Sequence, residues 1–536
     1  MLIVKRERFY LKKFSDLLAE LDILKAEPLG SWESAEVSGV TSDSRQVQPS
    51  DVFVAISGGS TDGHRYIPDA ISRGACGVVG SVAISGLLVP YIQVKNPRLT
   101  LAQLAAALHD FPARKLTMIG ITGTDGKTTT ANIIYRILQA AGLRAGMIST
   151  VNALIGDEIL DTGFHVTTPD ATSVQVYLAH MVDAGLTHVV LEATSHGLAQ
   201  ERVAACDFDM AVATNITHEH LDYHGSYEAY RQAKGLLFSG LGKTAPKPAR
   251  PPRGAVLNQD DSSYDYLARI TQVPVINYGL HPGADVRPED LSWSLQNLPG
   301  ITMRVDGRNL QGEPFHLRLE SRLVGEFNVY NLLAAVALTR GVLNLDDEPV
   351  RLGVAGMQGV PGRMEVIDLG QDFTAMVDFA HTPNALRRAF EAARRLTSGR
   401  VIAVFGSAGL RDRQKRRMMA EISADLADLT VLTAEDPRTE SLSDILEEMA
   451  NGLKSRGGVE GRTFWRVPDR GSAIRLSVQL AYPGDLVIVC GKGHEQSMCY
   501  GEVEYPWDDR VAMRSALAEK LGVSGPEMPD LPTQVL

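Results

Sequence analysis

The stretch "TMIGITGTDGKTTTANIIYRILQAAG" limits what this chain can fold into more than any other: an apolar β-rich run, a glycine-threonine loop, then a helical pattern. Gly120, Gly123 and Gly126 lead into Lys127 and Thr128 as Gly-x-x-Gly-x-x-Gly-Lys-Thr. Glycines let backbone N–H groups turn inward on a phosphate, a lysine offsets the β/γ charge, and a threonine hydroxyl can ligate magnesium. The usual six-residue spacing of such loops is not met, because Ile121 occupies the position five before Gly126. A glycine-rich turn with a solvated lysine is the alternative, and the flanking strand and helix argue against it.

A loop of this kind opens its own parallel sheet, so a new unit begins at "RKLTMIGITG". The 536 residues exceed what one hydrophobic core organises. Short β-rich runs alternate with longer helical patterns almost throughout, which predicts an α/β protein with mostly parallel sheets. Three blocks follow: 1–112, 113–357 and 358–536, the last opening around "GVPGRMEVI". The second block holds "THVVLEATSHG", "DMAVATNITHEHLDYHG" and "GAVLNQDD"; the third holds "FTAMVDFAHTP", "VIAVFGSAGLRD", "DLTVLTAEDPRTE" and "DLVIVCGKGHE". Each is a strand running into a polar loop, where ligands of open α/β sheets collect. The proline-rich, basic "GKTAPKPARPPRG" reads as an exposed loop.

Charge and cysteine usage narrow the function classes. A net charge of -11 argues against nucleic acid as the main partner, while leaving room for a local basic pocket. Cys76, Cys206, Cys490 and Cys499 are scattered, with no pair at zinc or redox spacing, which fits a reducing cytoplasm. "MLIVKRERFYLKKF" leaves no room for a signal-peptide core, and no later segment reads as a membrane span.

A magnesium-nucleotide needs hard oxygen ligands beyond Thr128, so acidic residues are expected where neighbouring strands end. Glu192, closing "THVVLEA", is the best placed. "TNITHEHLDYHG" adds His218, Glu219, His220, Asp222 and His224 in one loop. Any one of these histidines alone reads as a hydrogen-bonded structural residue. Lys234, among apolar residues in "YRQAKGLLF", has a snorkelling helix lysine as its bland reading. In "CGKGHE" no phosphate-loop threonine follows Lys492, so only the glycines and Glu495 read as functional.

Taken together, "GITGTDGKTTT", "EATSHGL", "NITHEHLDYHG", "GEFNVYNLLAA", "PGRMEV", "VDFAHTP" and "GKGHE" resemble, in order and context, the Mur ligases. "TSDSRQV", "DVFVAISGGSTDGHRYIPDAI" and "EDPRTE" resemble the members that add the third peptide residue. The resemblance implies three α/β domains: one for the UDP-muramyl substrate, a central P-loop ATPase domain and a Rossmann-like C-terminal domain for the amino acid. It further implies that Ser42 and Ser44 contact the uridine end. ATP is held through Gly123, Thr124, Asp125, Gly126, Lys127, Thr128 and Thr129, with Asn328, Asn331 and Arg363 close to the nucleotide. Thr167, Thr168, Thr194, Gln200 and Arg202 match positions holding the muramyl-dipeptide; Thr194 replaces the usual serine and keeps the hydroxyl. Glu192 and His220 match magnesium ligands, and Lys234 matches a lysine carboxylated by carbon dioxide. Asp378 and His381 lie in a further family motif. Arg411, Glu435, Asp436, Pro437, Arg438, Gly491 and Glu495 match the amino-acid site.

The implied reaction is ATP-dependent addition of a diamino acid to UDP-N-acetylmuramoyl-L-alanyl-D-glutamate. The D-glutamate side-chain carboxylate becomes an acyl phosphate that the amine attacks. Lys127 and magnesium offset the repulsion of the converging anions, and a carbamate on Lys234 turns a cation into an oxygen ligand. Where relatives for meso-diaminopimelate read Asp-Asn-Pro-Arg, this chain reads Glu435-Asp436-Pro437-Arg438. Arg438 suits the distal carboxylate of meso-diaminopimelate. Asp436 and Glu435 open the alternative that neighbouring acids neutralise Arg438 and the pocket takes L-lysine or L-ornithine. Other readings are an amide ligase of the folylpolyglutamate synthetase type, against which the uridine motif argues, and a non-catalytic nucleotide-binding regulator.

Overall fold

The computed structural model describes residues 11–27, 32–58, 61–160, 168–217, 221–244, 246–294, 300–357 and 359–533. The protein is built on three open sheets, each with helices on both faces. The first has five strands, in the order Ile23–Glu27, Tyr91–Val94, Gly77–Gly80, Asp51–Val54, Gly39–Thr41. All its pairs are parallel except the one made by Ile23–Glu27. Its two faces carry separate cores, around Phe14, Leu17 and Leu104 and around Phe53, Ile67 and Tyr91.

The central sheet has eleven strands. Thr117–Thr122 is buried along its whole length, as its unbroken apolar run requires of a parallel strand covered on both faces. It lies between His188–Glu192 and Met210–Ala213, both parallel to it. The chain leaves this strand toward one side of the sheet, through Ala145–Ile148, and returns to the other through Met210–Ala213. The carboxyl end of Thr117–Thr122 is therefore a topological switch point, where a crevice opens. Beyond Val275–Tyr278 the sheet becomes an antiparallel meander, Val286–Ser294, Gly300–Arg308 and Pro314–Ser321. The last strand alternates exposed and buried residues, as a one-sided strand does.

The third sheet orders its strands Glu365–Val366, Thr374–Asp378, Leu486–Cys490, Val401–Phe405, Leu429–Leu432 and Phe464–Arg466. All but the first pair are parallel. The loops "FAHTP", "GKGHE", "GSAGLRD" and "EDPR" thus leave the same edge of the sheet. The α/β alternation expected from the sequence is present except in the antiparallel meander of the central sheet.

The basic loop departs from its sequence reading. Lys247 is buried, and its Nζ donates to Asp209 Oδ2 at 2.6 Å and Leu116 O at 2.9 Å. The prolines shape a return whose lysine is an internal anchor, because the charge finds an acid at the start of Met210–Ala213.

Candidate active site

Thr117–Thr122 ends in Gly123, and the helix Lys127–Ala140 starts immediately after Gly126. Gly126 has φ 81°, and a Cβ there would stand 2.3 Å from Asn331 Oδ1. At Gly123 a Cβ would lie 1.8 Å from Thr214 Oγ1. Glycine is thus required at both ends of the turn, by conformation at one and close approach at both. The loop is clamped from behind: Thr124 N donates to Asn215 O at 2.7 Å, Asp125 N to Asn215 Oδ1 at 3.0 Å, and Thr214 Oγ1 to Asp125 O at 2.6 Å. Thr129 is buried beneath it.

Lys127 folds over this turn, its Nζ donating to Gly123 O at 3.0 Å and Thr124 O at 2.8 Å. Thr128 Oγ1 donates to Glu192 Oε2 at 3.0 Å. Glu192 is fully buried, and Thr150 also donates to it through its N–H and its hydroxyl. Burial holds the Glu192 carboxyl above the usual range, opposed by the Lys127 cation, the Thr128 hydroxyl and Arg363. Asn331, in the helix Glu326–Val336, accepts from Thr130 Oγ1 at 3.3 Å and covers the loop, and it donates to Asn328 Oδ1 at 2.8 Å behind it. Arg363 lies over the Phe379 ring, 4.3 Å from its centroid.

Lys234 does not snorkel. It is 2% exposed, and its Nζ donates to Gly123 O at 2.6 Å beneath the phosphate loop. The donor set fits a magnesium-nucleotide: a hydroxyl and a carboxylate lie side by side at the helix start, and phosphate and water oxygens complete such a shell. Among the described residues no three His, Cys, Asp or Glu side chains converge on a metal-sized position. His218, Glu219, His220 and Thr167 lie outside the described residues.

A polar network runs on from Glu192. Its carbonyl accepts from Thr168 Oγ1 at 3.0 Å, which lies 3.0 Å from Thr194 Oγ1. Thr194 in turn caps the short helix Ser195–Ala199 by accepting from Gly197 N. Arg202 donates to Thr168 O at 2.8 Å and to Gln200 Oε1 at 2.6 Å. Ser42 and Ser44 belong to the first sheet's unit and are not part of this network; Ser42 is exposed, while Ser44 is buried against Asp69.

At the third sheet's edge, Glu435, Asp436 and Pro437 are buried, Arg438 is half-buried and Arg411 is exposed. A Cβ on Gly491 would lie 2.4 Å from Glu435 Oε2, and one on Gly409 would lie 1.9 Å from Pro437 O, so these loops need their glycines to pack together. Glu435 Oε2 has no hydrogen-bond partner among the described residues, and burial pushes this carboxyl up to about 8. His494, pressed on Phe379 with ring centroids 4.9 Å apart, is driven down to about 3 by burial and by Arg363. Asp378 accepts from the N–H groups of Met364 and Ala380, fixing the start of the "FAHTP" loop, in which His381 stands edge-on to Phe379.

Two residues here escaped the sequence reading. Lys492 is not a bystander: its buried Nζ bridges Asp436 and Glu495. The buried Arg470 donates to Ala434 O at 3.0 Å and Cys490 O at 2.8 Å, tying the residues just before "EDPR" and "GKGHE" together. Lys492 stood inside a recognised motif; Arg470, in "VPDRGSA", carried no local signal.

Comparison with known proteins agrees with this geometry. Residues 36–109 match the Mur ligase family, catalytic domain; residues 121–339 the Mur ligase middle domain; and residues 362–493 the Mur ligase, glutamate ligase domain. The UDP-N-acetylmuramyl-tripeptide synthetase of Roseiflexus sp. is 43% identical over 503 residues, covering 91% of this chain and 96% of that protein. The UDP-N-acetylmuramoyl-L-alanyl-D-glutamate--2,6-diaminopimelate ligase of Geobacillus thermodenitrificans is 39% identical over 489 residues, covering 90% and 96%. A solved structure of a ligase with this second name superposes with a TM-score of 0.65 at 30% identity, over 95% of this chain and 99% of that one. With its three sheets, its phosphate loop and near full-length relatives, the chain belongs to the Mur ligase family.

Proposed function

We propose that this protein is the ATP-dependent ligase that joins meso-diaminopimelate to UDP-N-acetylmuramoyl-L-alanyl-D-glutamate. The observation that carries this reading is the double use of Glu192. Its carboxylate accepts from Thr128 in the phosphate loop, while its carbonyl accepts from Thr168 in the polar network. On this reading the phosphoryl donor and the acceptor carboxylate meet around one residue.

ATP supplies the phosphoryl group that converts the D-glutamate side-chain carboxylate into an acyl phosphate, which the incoming amine displaces. Lys127 and the N–H groups of the helix start offset phosphate charge. Thr128 and Glu192 would supply oxygen donors to magnesium, and the family resemblance adds His220 and Lys234, the latter as a carbamate. Asn328, Asn331 and Arg363 flank the nucleotide. Thr167, Thr168, Thr194, Gln200 and Arg202 hold the muramyl-dipeptide, and Ser42 and Ser44 the uridine end. Arg411, Glu435 to Arg438, Gly491 and Glu495 form the amino-acid site. We place the unit boundaries near 112 and 357. A cytoplasmic setting is supported by four unpaired cysteines and by the lack, among the described residues, of any helix long and apolar enough to cross a membrane.

The test is one ligation assay run in parallel with meso-diaminopimelate, L-lysine and L-ornithine. Phosphate release is expected to require both the UDP-muramyl-dipeptide and an amino acid, with meso-diaminopimelate preferred. Release that ignores either substrate overturns the ligase reading, and a preference for L-lysine or L-ornithine overturns the choice of diamino acid alone.

A further inference from the structure

The acids of the third sheet's edge do not pair with their sequence neighbour. Asp436 is two residues from Arg438, yet its carboxylate accepts from Lys492 Nζ on both oxygens, at 3.0 and 3.1 Å, and from Cys499 N at 3.0 Å. The same Nζ reaches Glu495 Oε2 at 2.5 Å, and the lysine side chain is 1% exposed. Burial opposes the charge of Lys492, but Glu495 and Asp436 outweigh it and hold the ammonium above its ordinary range. One buried cation therefore serves two acids.

Arg438 is held differently. Its N–H donates to Cys499 O at 3.1 Å and its carbonyl accepts from Gly501 N at 2.9 Å, so the strand Ser497–Tyr500 fixes its backbone on both sides. The residue takes φ 54°, in the left-handed region. Among the described residues its guanidinium makes no hydrogen bond or ion pair, and it is half-exposed at the sheet edge. A planar guanidinium presented this way is suited to a carboxylate arriving from outside.

We propose that Lys492 is a specificity-determining residue: by binding Asp436 it withdraws that acid from Arg438 and leaves the guanidinium to a second carboxylate on the amino-acid substrate. This rests on the diaminopimelate reading above. That second carboxylate is what meso-diaminopimelate has and L-lysine and L-ornithine lack. Asp436, the substitution that argued for a cation-binding pocket, is spent on an internal cation.

The experiment compares kcat/KM for meso-diaminopimelate and L-lysine, and the KM values for ATP and the UDP-muramyl-dipeptide, in wild type, Asp436→Asn, Lys492→Met and the double variant. Wild type is read first: preference for L-lysine overturns the diaminopimelate reading itself. Given diaminopimelate use, Lys492→Met is expected to lower its kcat/KM at least tenfold, through KM, with the other two KM values within twofold. L-lysine use is expected to fall less. In the double variant no acid remains at position 436 to turn toward Arg438, and most of the diaminopimelate efficiency is expected to return.

A double variant no better than Lys492→Met, or equal rises in all three KM values, assigns Lys492 a structural role and overturns the proposal. Asp436→Asn keeps Lys492 and serves as the test even if Lys492→Met fails to fold. Because Asp436 belongs to the amino-acid site, the change is expected to bring no gain in kcat/KM for diaminopimelate, and a tenfold gain overturns the proposal, since Asp436 then opposed Arg438 in the native enzyme.

Discussion

Three single residues of the site carry separable predictions. Among the described residues Lys127 hydrogen-bonds to backbone carbonyls of its own loop, so its side chain holds no core together. Removing a charge that faces a transferring phosphoryl group costs about a hundred- to a thousandfold in turnover. Lys127→Ala is accordingly expected to lose that much ligation in a steady-state assay while its circular dichroism and melting midpoint stay near wild type. Lys234 is buried against Gly123 O, where a bare ammonium sits beneath the phosphate loop. If the working form is the carbamate, Lys234→Ala loses activity and regains part of it with short carboxylic acids that refill the oxygen site; no recovery with any of them counts against the carbamate. Glu435 is raised from 4.5 to about 8 by burial, with Asp436 and Glu495 adding to the rise and Arg470 and Lys492 opposing it. A buried acid with a raised pKa binds its proton in the folded state and releases it in the unfolded one, so its stability contribution is complete below about 4.5 and is lost as pH rises to about 8. Urea midpoints measured from pH 5 to 8 are expected to fall less steeply with pH in Glu435→Gln than in wild type.

Elements explain why some of the site was legible and some was not. The phosphate loop could be read directly because strand, glycines, Lys127 and helix start are contiguous, and local chain conformation alone orients them. Glu192 was found because strand ends in a parallel sheet face the same crevice. The pairing of Lys492 with Asp436 was not, since it spans 56 residues and depends on Leu486–Cys490 and Leu429–Leu432 lying on either side of Val401–Phe405. In the structure Asp436 accepts from Lys492 and from Cys499 N, contacts that proximity along the chain to Arg438 did not suggest. Arg470 is a stronger case. It is fully buried with Asp509, at 2.7 Å, and Asp509 also accepts from Trp507 Nε1 at 2.8 Å. Removing one partner of a buried pair leaves an uncompensated charge and costs about 3–5 kcal/mol. Arg470→Met is therefore expected to unfold at markedly lower urea, and Arg470→Met/Asp509→Leu to recover part of the loss.

Across the whole molecule, the three units are not equally joined. The helix Pro97–Leu108 of the first packs on Ala171–Asp183 of the second, and Ala171 is buried in the first unit's core. Between the second and third units, among the described residues, the apolar contact is narrow: Val324 and Phe327 enter the third core, and Val360 enters the second. The ion pairs that cross there are an exposed one, Arg395 with Glu326 at 3.0 Å, and a long, half-exposed one, Arg388 with Asp125 at 3.8 Å. Exposed pairs contribute about 0–1 kcal/mol each, far too little to couple two cores of this size into one cooperative transition. Differential scanning calorimetry is thus expected to resolve the third unit's melting from that of the first two. A non-hydrolysable ATP analogue with magnesium, whose loop lies in the second unit, raises the transition of the unit that binds it by mass action, about 2.7 kcal/mol at a hundred times its dissociation constant. The expected trace has one transition moving upward with analogue and another moving less. A single transition with equal calorimetric and van't Hoff enthalpies, shifted as a whole, contradicts this division, and the contact through Val324 and Phe327 is then a rigid joint through which the nucleotide site and the amino-acid site are held as one body.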